Sequence, residues 1–164
     1  MLLSSAATRK SLAVAKYILD RCNEGRATSS VTPMQLLKLV YIAHGWMLGL
    51  HGRPLLDEEV QAWQYGPVVP SVYQAVRKYR SLPVQEVEGA PNDFAFDDDE
   101  KSVMNRVAKK YGAVNGVALS AATHRPETPW SKTWAAFSRS MPISNDLIED
   151  FYSRLSKQPK HSAL

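Results

Sequence analysis

The histidines are the first residues to consider for chemistry, because histidine is the commonest metal ligand and acid–base side chain in proteins. The chain has four of them. His44 and His51 are seven residues apart, so they could share one face of a helix. A structural zinc site would also need a second cysteine or closely spaced histidines, and neither accompanies them. We predict neither a metal nor a cofactor, and we interpret these histidines as hydrogen-bonded or surface side chains.

His124 and Glu127 form the second candidate pair, and they lie in a turn just before Trp130. Their spacing would allow a charge-assisted hydrogen bond that fixes the turn. A catalytic pair also needs a nucleophile or a substrate pocket, and the sequence has no G-x-S-x-G, no glycine-rich phosphate loop and no H-E-x-x-H motif. We therefore predict a structural pair and no enzyme. Catalysis, the alternative, requires that both side chains line an open pocket.

Basic residues form two short clusters that could make a basic patch. Arg77, Lys78 and Arg80 form one cluster, and Lys109 and Lys110 form the other. The chain as a whole is mildly basic, with a formal net charge of +4 and a pI of about 9.2. It lacks the dense stripe of Lys and Arg that is typical of a dedicated nucleic-acid binder. Solvated helix faces, an acidic partner and nucleic acid all remain possible explanations of the two clusters.

Helices have to position these side chains, and the main one is predicted over residues 32–51. Thr32, Pro33 and Gln35 give a T-x-x-Q capping box with proline in the first turn. The helix is apolar almost all round, which indicates burial on most sides. Gly45 and Gly49 each cost about 1 kcal/mol relative to alanine in a helix interior, a cost that close approach of another backbone would explain. The residues that we expect in the core of this helix are Leu39, Tyr41, Gly45, Trp46 and Gly49.

The whole pattern predicts an all-α fold, a compact bundle of six to seven helices around that central helix. Residues 52–70 form an irregular connector, in which prolines and Gly66 prevent a long helix and residues 56–63 could hold one short strand or helical turn. Other helix starts are indicated by capping residues. The predicted starts are Ser71 (a second capping box), the acidic run 97–100, Asn115, Thr128-Pro129 and Ser144.

Length and composition favour one cytoplasmic domain. The chain has 164 residues, 45% of them hydrophobic, enough for a single core. Its single cysteine, Cys22, fits a reducing compartment. The N-terminus lacks the pattern of a signal peptide, and Lys38 and His44 interrupt the apolar run before it could span a bilayer. We predict one domain over residues 1–156 and a flexible tail over 157–164.

Residues 32–79 resemble the signature of the Panacea domain, the SocA-like antitoxin family that also includes the phage-associated protein GepA. The residues that match are Lys38, Leu39, Tyr41, Gly52, Pro54, Leu55, Glu58, Ala62, Trp63, Gly66, Pro67 and Val68. A later segment is similar to the family's L-S-x-x-T-H-x-x-x-P-W motif through Leu119, Ser120, Thr123, His124, Pro129 and Trp130. The resemblance covers about residues 11–155. The chain departs from the family at Arg125-Pro126, which displaces the acidic residue after His124.

The resemblance implies an all-helical antitoxin of a bacterium or prophage. Such a protein would neutralise a co-encoded protein toxin by direct binding, and one that resembles a proteolytic adaptor would deliver the toxin to the ClpXP protease. We expect the partner to meet the connector or the later turn, at Trp63, Tyr65, Gly66, Pro67, Val68, His124, Glu127 and Trp130. For Trp63, core and interface are both open. The alternatives are a nucleic-acid-binding regulator and a phage-associated protein-interaction module.

Overall fold

A computed structural model describes residues 5–137 and 140–159, and within these ranges it has seven α-helices and one three-stranded antiparallel sheet. The helices are α1 (Ser5–Cys22), α2 (Pro33–His51), α3 (Pro70–Val76, continued by a 3-10 turn, Arg77–Tyr79), α4 (Asp98–Tyr111), α5 (Gly116–Thr123), α6 (Pro129–Phe137) and α7 (Asn145–Ser156). The strands are β1 (Val60–Trp63), β2 (Gly66–Val68) and β3 (Met141–Ile143), in the order β2-β1-β3.

The sheet corrects the prediction of a strictly all-α fold. The connector contains the β1–β2 hairpin, so of the two possibilities for residues 56–63, a short strand or a helical turn, the strand is the one found, and its two partners were missed. Strand β3 pairs with β1 from far along the chain, at Val60↔Ile143 and Ala62↔Met141. Pro142 is tolerated there because β3 is an edge strand. The fold is therefore mostly helical, with a small sheet built on the connector.

Helix α2 lies at the centre, against α1, α3, α4, α5, α7 and β2. Thr32 caps it by accepting from the Gln35 N–H at 3.3 Å. The Gln35 side chain does not complete the predicted capping box. It donates instead to the carbonyl oxygens of Gly112 and Val114, at 2.7 and 2.9 Å. This amide therefore fastens the start of α2 to the segment that follows α4.

Close packing of α7 on α2 explains the two helical glycines. A Cβ on Gly45 would lie 2.2 Å from the Tyr152 ring, and a Cβ on Gly49 would lie 2.7 Å from the Tyr152 backbone carbon. The backbone of α7 thus lies against Gly49, as predicted, whereas a side chain fills the space at Gly45. Among the other expected core residues Leu39 and Tyr41 are buried, and Trp46 is half-buried with its ring against that of Tyr152.

Capping predicts most of the other helix starts. Asp97 and Glu100 form a complete capping box on α4, Asn115 accepts from the N–H of Ala118, and Ser144 caps α7. The second predicted box, at Ser71, is wrong. Helix α3 begins after Val69 without a side-chain cap, because the Ser71 hydroxyl is hydrogen-bonded to the Glu58 carboxylate.

His44 is fully buried and joins three parts of the fold. Its Nδ1 accepts from the Leu56 N–H at 3.2 Å, and its Nε2 lies 3.0 Å from Asn145 Oδ1, so Nε2 carries the proton. Burial lowers its pKa to about 4, which keeps the ring neutral. The ring is thus a structural bridge between α2, the connector and α7.

The buried side chains of the described residues form one hydrophobic cluster that includes residues of α1, α2, α4 and α7. A single domain over residues 1–156 remains a prediction, and residues 1–4 of it lie outside the described ranges. Residues 160–164 of the predicted tail also lie outside them. Helix α7 ends at Ser156, just before that tail.

Candidate partner-binding site

The β1–β2 hairpin is the centre of the candidate site. Trp63 pairs with Gly66, so Gln64 and Tyr65 form the turn between the strands. Gly66 has a φ of 117°, a backbone conformation that side chains other than glycine rarely adopt. A Cβ at this position would also lie 2.9 Å from Lys38 Nζ and 3.1 Å from His124 Cε1. Glycine is therefore favoured at this position by the backbone conformation, and a Cβ would also push the end of the Lys38 side chain aside.

Four side chains each lie within hydrogen-bonding distance of one backbone carbonyl oxygen of this hairpin; three belong to α2, α5 and α6, and the fourth belongs to the residue that follows α5. The pairs are Trp130 Nε1 with Trp63 O (2.7 Å), His124 Nε2 with Gln64 O (3.2 Å), Ser120 Oγ with Tyr65 O (3.1 Å) and Lys38 Nζ with Pro67 O (3.2 Å). We call Lys38, Ser120, His124 and Trp130 the clamp. All four are residues on which the family resemblance rests. The clamp fixes the hairpin through its main chain.

His124 does not form the predicted bond with Glu127. Its Nδ1 lies 2.6 Å from the Ser120 carbonyl oxygen and its Nε2 faces that of Gln64, so both ring nitrogens point at acceptors. Glu127 is exposed and has a positive φ of 68°, and its carboxylate lies 3.8 Å from Lys132 Nζ. The histidine thus fastens the hairpin to α5, and the pair needed for catalysis is not assembled.

Lys38 is the most unusual member of the clamp, because its side chain is only 2% exposed. Among the described residues its ammonium group has a hydrogen bond to Pro67 O and no carboxylate within salt-bridge distance. Burial lowers the pKa of Lys38 to about 8. The sequence signal for this residue is a lysine within an otherwise apolar helix.

An apolar patch lies beside the clamped hairpin. Tyr65 is 69% exposed at the turn, and Val117 on α5 is 74% exposed. Ser120, one helical turn after Val117, is bonded to the Tyr65 carbonyl, which brings α5 to the turn. Met34 is 40% exposed and its side chain lies against Gly116 at the start of α5. We call Tyr65, Val117 and Met34 the tip patch; Met34 and Val117 were not predicted from the sequence.

The other predicted partner-binding residues divide into exposed and buried ones. Gly66, Pro67, Val68 and Trp130 are buried, so they shape the site and offer little surface to a partner. Trp63 is half-buried, with its indole N–H 2.8 Å from Gln61 Oε1 and its ring 5.0 Å from that of Tyr73. Tyr65 is therefore the predicted residue with the largest accessible apolar surface.

The five residues of the possible basic patch are all exposed, but they belong to two different elements. Arg77 and Lys78 lie in the 3-10 turn after α3 and Arg80 follows it, whereas Lys109 and Lys110 end α4. Lys78 is paired with Glu88 at 3.3 Å. Binding of an acidic partner or nucleic acid through these residues remains a prediction.

Two kinds of feature are absent from residues 5–137 and 140–159. In this part of the chain, no three His, Cys, Asp or Glu side chains are arranged so that they could hold a metal ion. None of its helices is both long enough and apolar enough to cross a bilayer.

Comparison with known proteins gives two matches. The family model described as "Antitoxin SocA-like, Panacea domain" matches residues 36–131. Antitoxin SocA of Caulobacter vibrioides (strain NA1000 / CB15N) is 29% identical over 131 residues. That alignment covers 72% of this chain and 66% of the relative, slightly less than two thirds of its length. No solved structure matches the chain significantly.

Proposed function

Because the family model matches more than half of its length, this chain belongs to the family of SocA-like antitoxins with a Panacea domain, and we propose that it is an antitoxin that neutralises a co-encoded protein toxin by direct binding. The name of the Caulobacter relative, Antitoxin SocA, points to the same role. A family of antitoxins suggests a non-enzymatic role, and the site described above supplies binding surface in place of a catalytic pair.

The clamped hairpin is the observation that best supports the proposal. Side chains from α2, α5 and α6 hold its carbonyl oxygens, so the turn does not need to be ordered when a partner arrives. A preorganised surface loses less conformational entropy on binding than a flexible loop does. The fold thus uses its family-matching residues to present a rigid turn.

The tip patch is the surface that we propose for the toxin. Tyrosine is enriched at interface hot spots, where truncation to alanine costs about 2 kcal/mol or more. Tyr65 and Val117 are both exposed, on two elements that the Ser120 hydrogen bond joins. An apolar surface on a rigid support is typical of a protein-binding site.

Co-expression with the neighbouring open reading frame tests the antitoxin role. We expect the product of the neighbouring reading frame to be toxic when it is expressed alone and harmless when it is expressed together with this protein. A neighbour that is harmless alone, or still toxic in its presence, would contradict the proposal.

Two variants of the tip patch then test the surface, Tyr65→Ala and Val117→Ser. Each should weaken toxin binding by at least about tenfold, because each removes apolar contact area at a hot spot. Leu82→Ser is the matched control, since Leu82 is equally exposed on another part of the chain. If all three variants bind the toxin like the parent protein, the toxin binds elsewhere.

Delivery of the toxin to ClpXP is a further proposal that rests on the resemblance. It predicts that the toxin is degraded faster when this protein is present and that the difference disappears in cells without ClpXP. Equal toxin half-lives with and without the protease would leave neutralisation by binding as the whole activity.

A further inference from the structure

The exposed face of helix α5 carries no charged side chain. Its exposed residues are Val117, Ala118 and Ala121, and Val117 is 74% exposed. Val117 and Ala121 are four positions apart, so they are neighbours on the helix surface. Surface helices usually present charged and polar residues to solvent. Within the described part of the chain, nothing covers this apolar face.

This face is continuous with the tip patch. Val117 belongs to both, and the Ser120 hydroxyl donates to the Tyr65 carbonyl at 3.1 Å, which places the hairpin turn beside α5. Met34 lies against the start of α5, where its side chain would be 3.1 Å from a Cβ on Gly116. We call the whole area the α5 surface, formed by Met34, Tyr65, Val117, Ala118 and Ala121.

The structure of this surface favours a helix as its occupant. The backbone N–H and C=O groups of α5 are bonded within the helix, so its exposed face offers none to an extended segment of a partner. A partner segment must therefore satisfy its own backbone groups, as an α-helix does. The small side chains of Ala118 and Ala121 leave room for a second helix, whose axis would lie about 8–10 Å from that of α5. The eight residues of α5 span about 12 Å, enough to contact about two turns of such a helix.

A cation without a carboxylate partner lies at the C-terminal end of this surface. Arg125 follows Ala121 by four positions, and its N–H donates to the Ala122 carbonyl, so the chain winds for one more turn. Arg125 is exposed, and among the described residues no carboxylate lies within 4 Å of its guanidinium group. The acidic residue nearest to it in the sequence, Glu127, lies 3.8 Å from Lys132 instead. An acidic group on a partner that covers α5 would therefore find an available guanidinium group.

A second cation, Lys110, lies near the other end of the surface. It comes two residues before Gly112, so the Cα atoms of these two residues are at most about 7 Å apart. The Gly112 carbonyl accepts from the side chain of Gln35, the residue after Met34, at 2.7 Å. Lys110 is also exposed and has no carboxylate within 4 Å in the described ranges. The α5 surface thus has an apolar centre and an available cation towards each end.

We propose that the α5 surface binds an amphipathic α-helix of the toxin, with an apolar stripe against α5 and acidic residues that reach Arg125 and Lys110. The proposal rests on the antitoxin role and deepens it, because it states the chemistry that the toxin presents. A second copy of this chain fits less well, since it would bring together two surfaces that both have cations at their edges. Nucleic acid also fits less well, because the centre of the surface has no cation for the phosphates.

A photo-cross-linker tests the occupant. In the full chain, p-benzoylphenylalanine replaces Ala121 in one variant and Ala118 in another, and the product of the neighbouring reading frame is co-expressed as the probe. After irradiation, peptide mass spectrometry identifies the cross-linked residues. We expect them to lie three or four positions apart in one acidic segment of that product, because residues with this spacing share a helix face. The same cross-linker in place of Leu82, which is exposed elsewhere on the chain, should give no such cross-links.

Charge reversal tests the acidic groups of the partner helix. Arg125→Glu should weaken binding of the same product by at least about threefold, and by less in high salt, because an exposed ion pair is lost and a repulsion is added. Substitution of lysine for an acidic residue of the cross-linked segment should restore binding to this variant, which a merely structural role of Arg125 would not allow. Lys157→Glu, at an exposed site after α7, is the control and should bind like the parent protein.

The outcomes separate this proposal from the antitoxin role. Cross-links to every second residue, to a basic segment or to a second copy of this chain would overturn the proposal, and so would undiminished binding by Arg125→Glu. A product that is neutralised without cross-linking from either alanine position would also overturn it and would leave the antitoxin role intact. A product that is harmless when expressed alone would contradict the antitoxin role, and its cross-links would still show whether a helix binds at this surface.

Discussion

Replacement of Lys38 by methionine should remove a pH dependence of stability that the parent protein has. The ammonium group is buried, and its pKa falls from 10.5 to about 8 in the folded chain. The unfolded chain therefore binds more protons than the folded chain between pH 8 and 10.5, so this lysine makes the free energy of unfolding rise with pH in that window. Methionine is unbranched and only one atom shorter than lysine, and it has no proton to lose.

The size of the effect follows from the shift in pKa. Each unit is worth about 1.4 kcal/mol, so a shift of about 2.5 units corresponds to about 3 kcal/mol. The free-energy cost of burying the charged ammonium group is fully present at pH 7 and largely gone at pH 10.5. Methionine leaves Pro67 O without its donor, which costs about 1–3 kcal/mol at every pH. The change with pH in the difference between the two unfolding free energies, not the difference at any one pH, therefore measures the cost of the buried charge.

Urea unfolding followed by tryptophan fluorescence at several pH values between 7 and 10.5 provides the assay. We expect the free energy of unfolding of the parent protein, minus that of Lys38→Met, to rise by about 3 kcal/mol across this range. Burial also raises the pKa of Cys22, to about 11, and that of Tyr41, which destabilises the fold at high pH. Both proteins share these groups, so their effect cancels in the difference.

Lys109→Met is the matched control, because Lys109 is exposed on α4. Its difference from the parent protein should stay within about 0.5 kcal/mol at every pH, as is usual for surface substitutions. A difference for Lys38→Met that is equally constant from pH 7 to 10.5 would refute the claim that a buried, unpaired ammonium group holds the hairpin.

Three further predictions concern His44, Gly49 and Gly66. The pKa of His44 is lowered to about 4, so the ring is neutral and the fold has its full stability above pH 6.5. About 3 kcal/mol of the free energy of unfolding should be lost as the pH falls from 6.5 to 4. An NMR titration should show the ring neutral, with the proton on Nε2, down to about pH 4. Gly49→Ala should destabilise the fold by about 1–3 kcal/mol in urea unfolding, although alanine favours helices, because its Cβ would lie 2.7 Å from the Tyr152 backbone. Gly66→Ala should cost about 1–3 kcal/mol in the same assay and also weaken toxin binding, because it strains the backbone and collides with two clamp residues.

Each of these three has its own control. A titration midpoint for His44 near 6.5 would contradict the buried, neutral ring. Ser102→Ala, on the exposed face of α4, should change stability by no more than about 0.5 kcal/mol, and an equally small effect of Gly49→Ala would argue against the close approach of α7. Gly25 also has a positive φ but open space around it, so Gly66→Ala should cost more than Gly25→Ala. Equal costs would mean that contact with the clamp is unimportant.

The helices were predictable because their signals are local. Thr32, Asp97, Asn115 and Ser144 each cap a helix whose first turn follows directly in the sequence. The sheet was not predictable in full, because β3 joins β1 from about 80 residues further along the chain and Pro142 conceals a strand. Local rules therefore found the elements and missed the pairing between distant ones.

The candidate site shows the same difference between local signals, which the sequence displays, and contacts between distant residues, which it does not. The sequence drew attention to His124, but its partner was sought three residues away, whereas one of its acceptors, Gln64 O, lies 60 residues away. Lys38 and Pro67 are 29 residues apart, so their hydrogen bond leaves no local pattern either. Family-matching residues that are scattered along the sequence come together only in the folded chain, because each holds a different carbonyl of one hairpin.

The clamp has a consequence for how this surface can change during evolution. It grips main-chain oxygens, which every amino acid possesses, so the side chains of Gln64 and Tyr65 contribute little to holding the turn in place. Both are exposed. Under the proposal that the toxin binds at the tip patch, substitutions at these two positions would alter which partner is recognised without altering the fold that presents them. A change of toxin would then require new side chains at the turn but no new architecture.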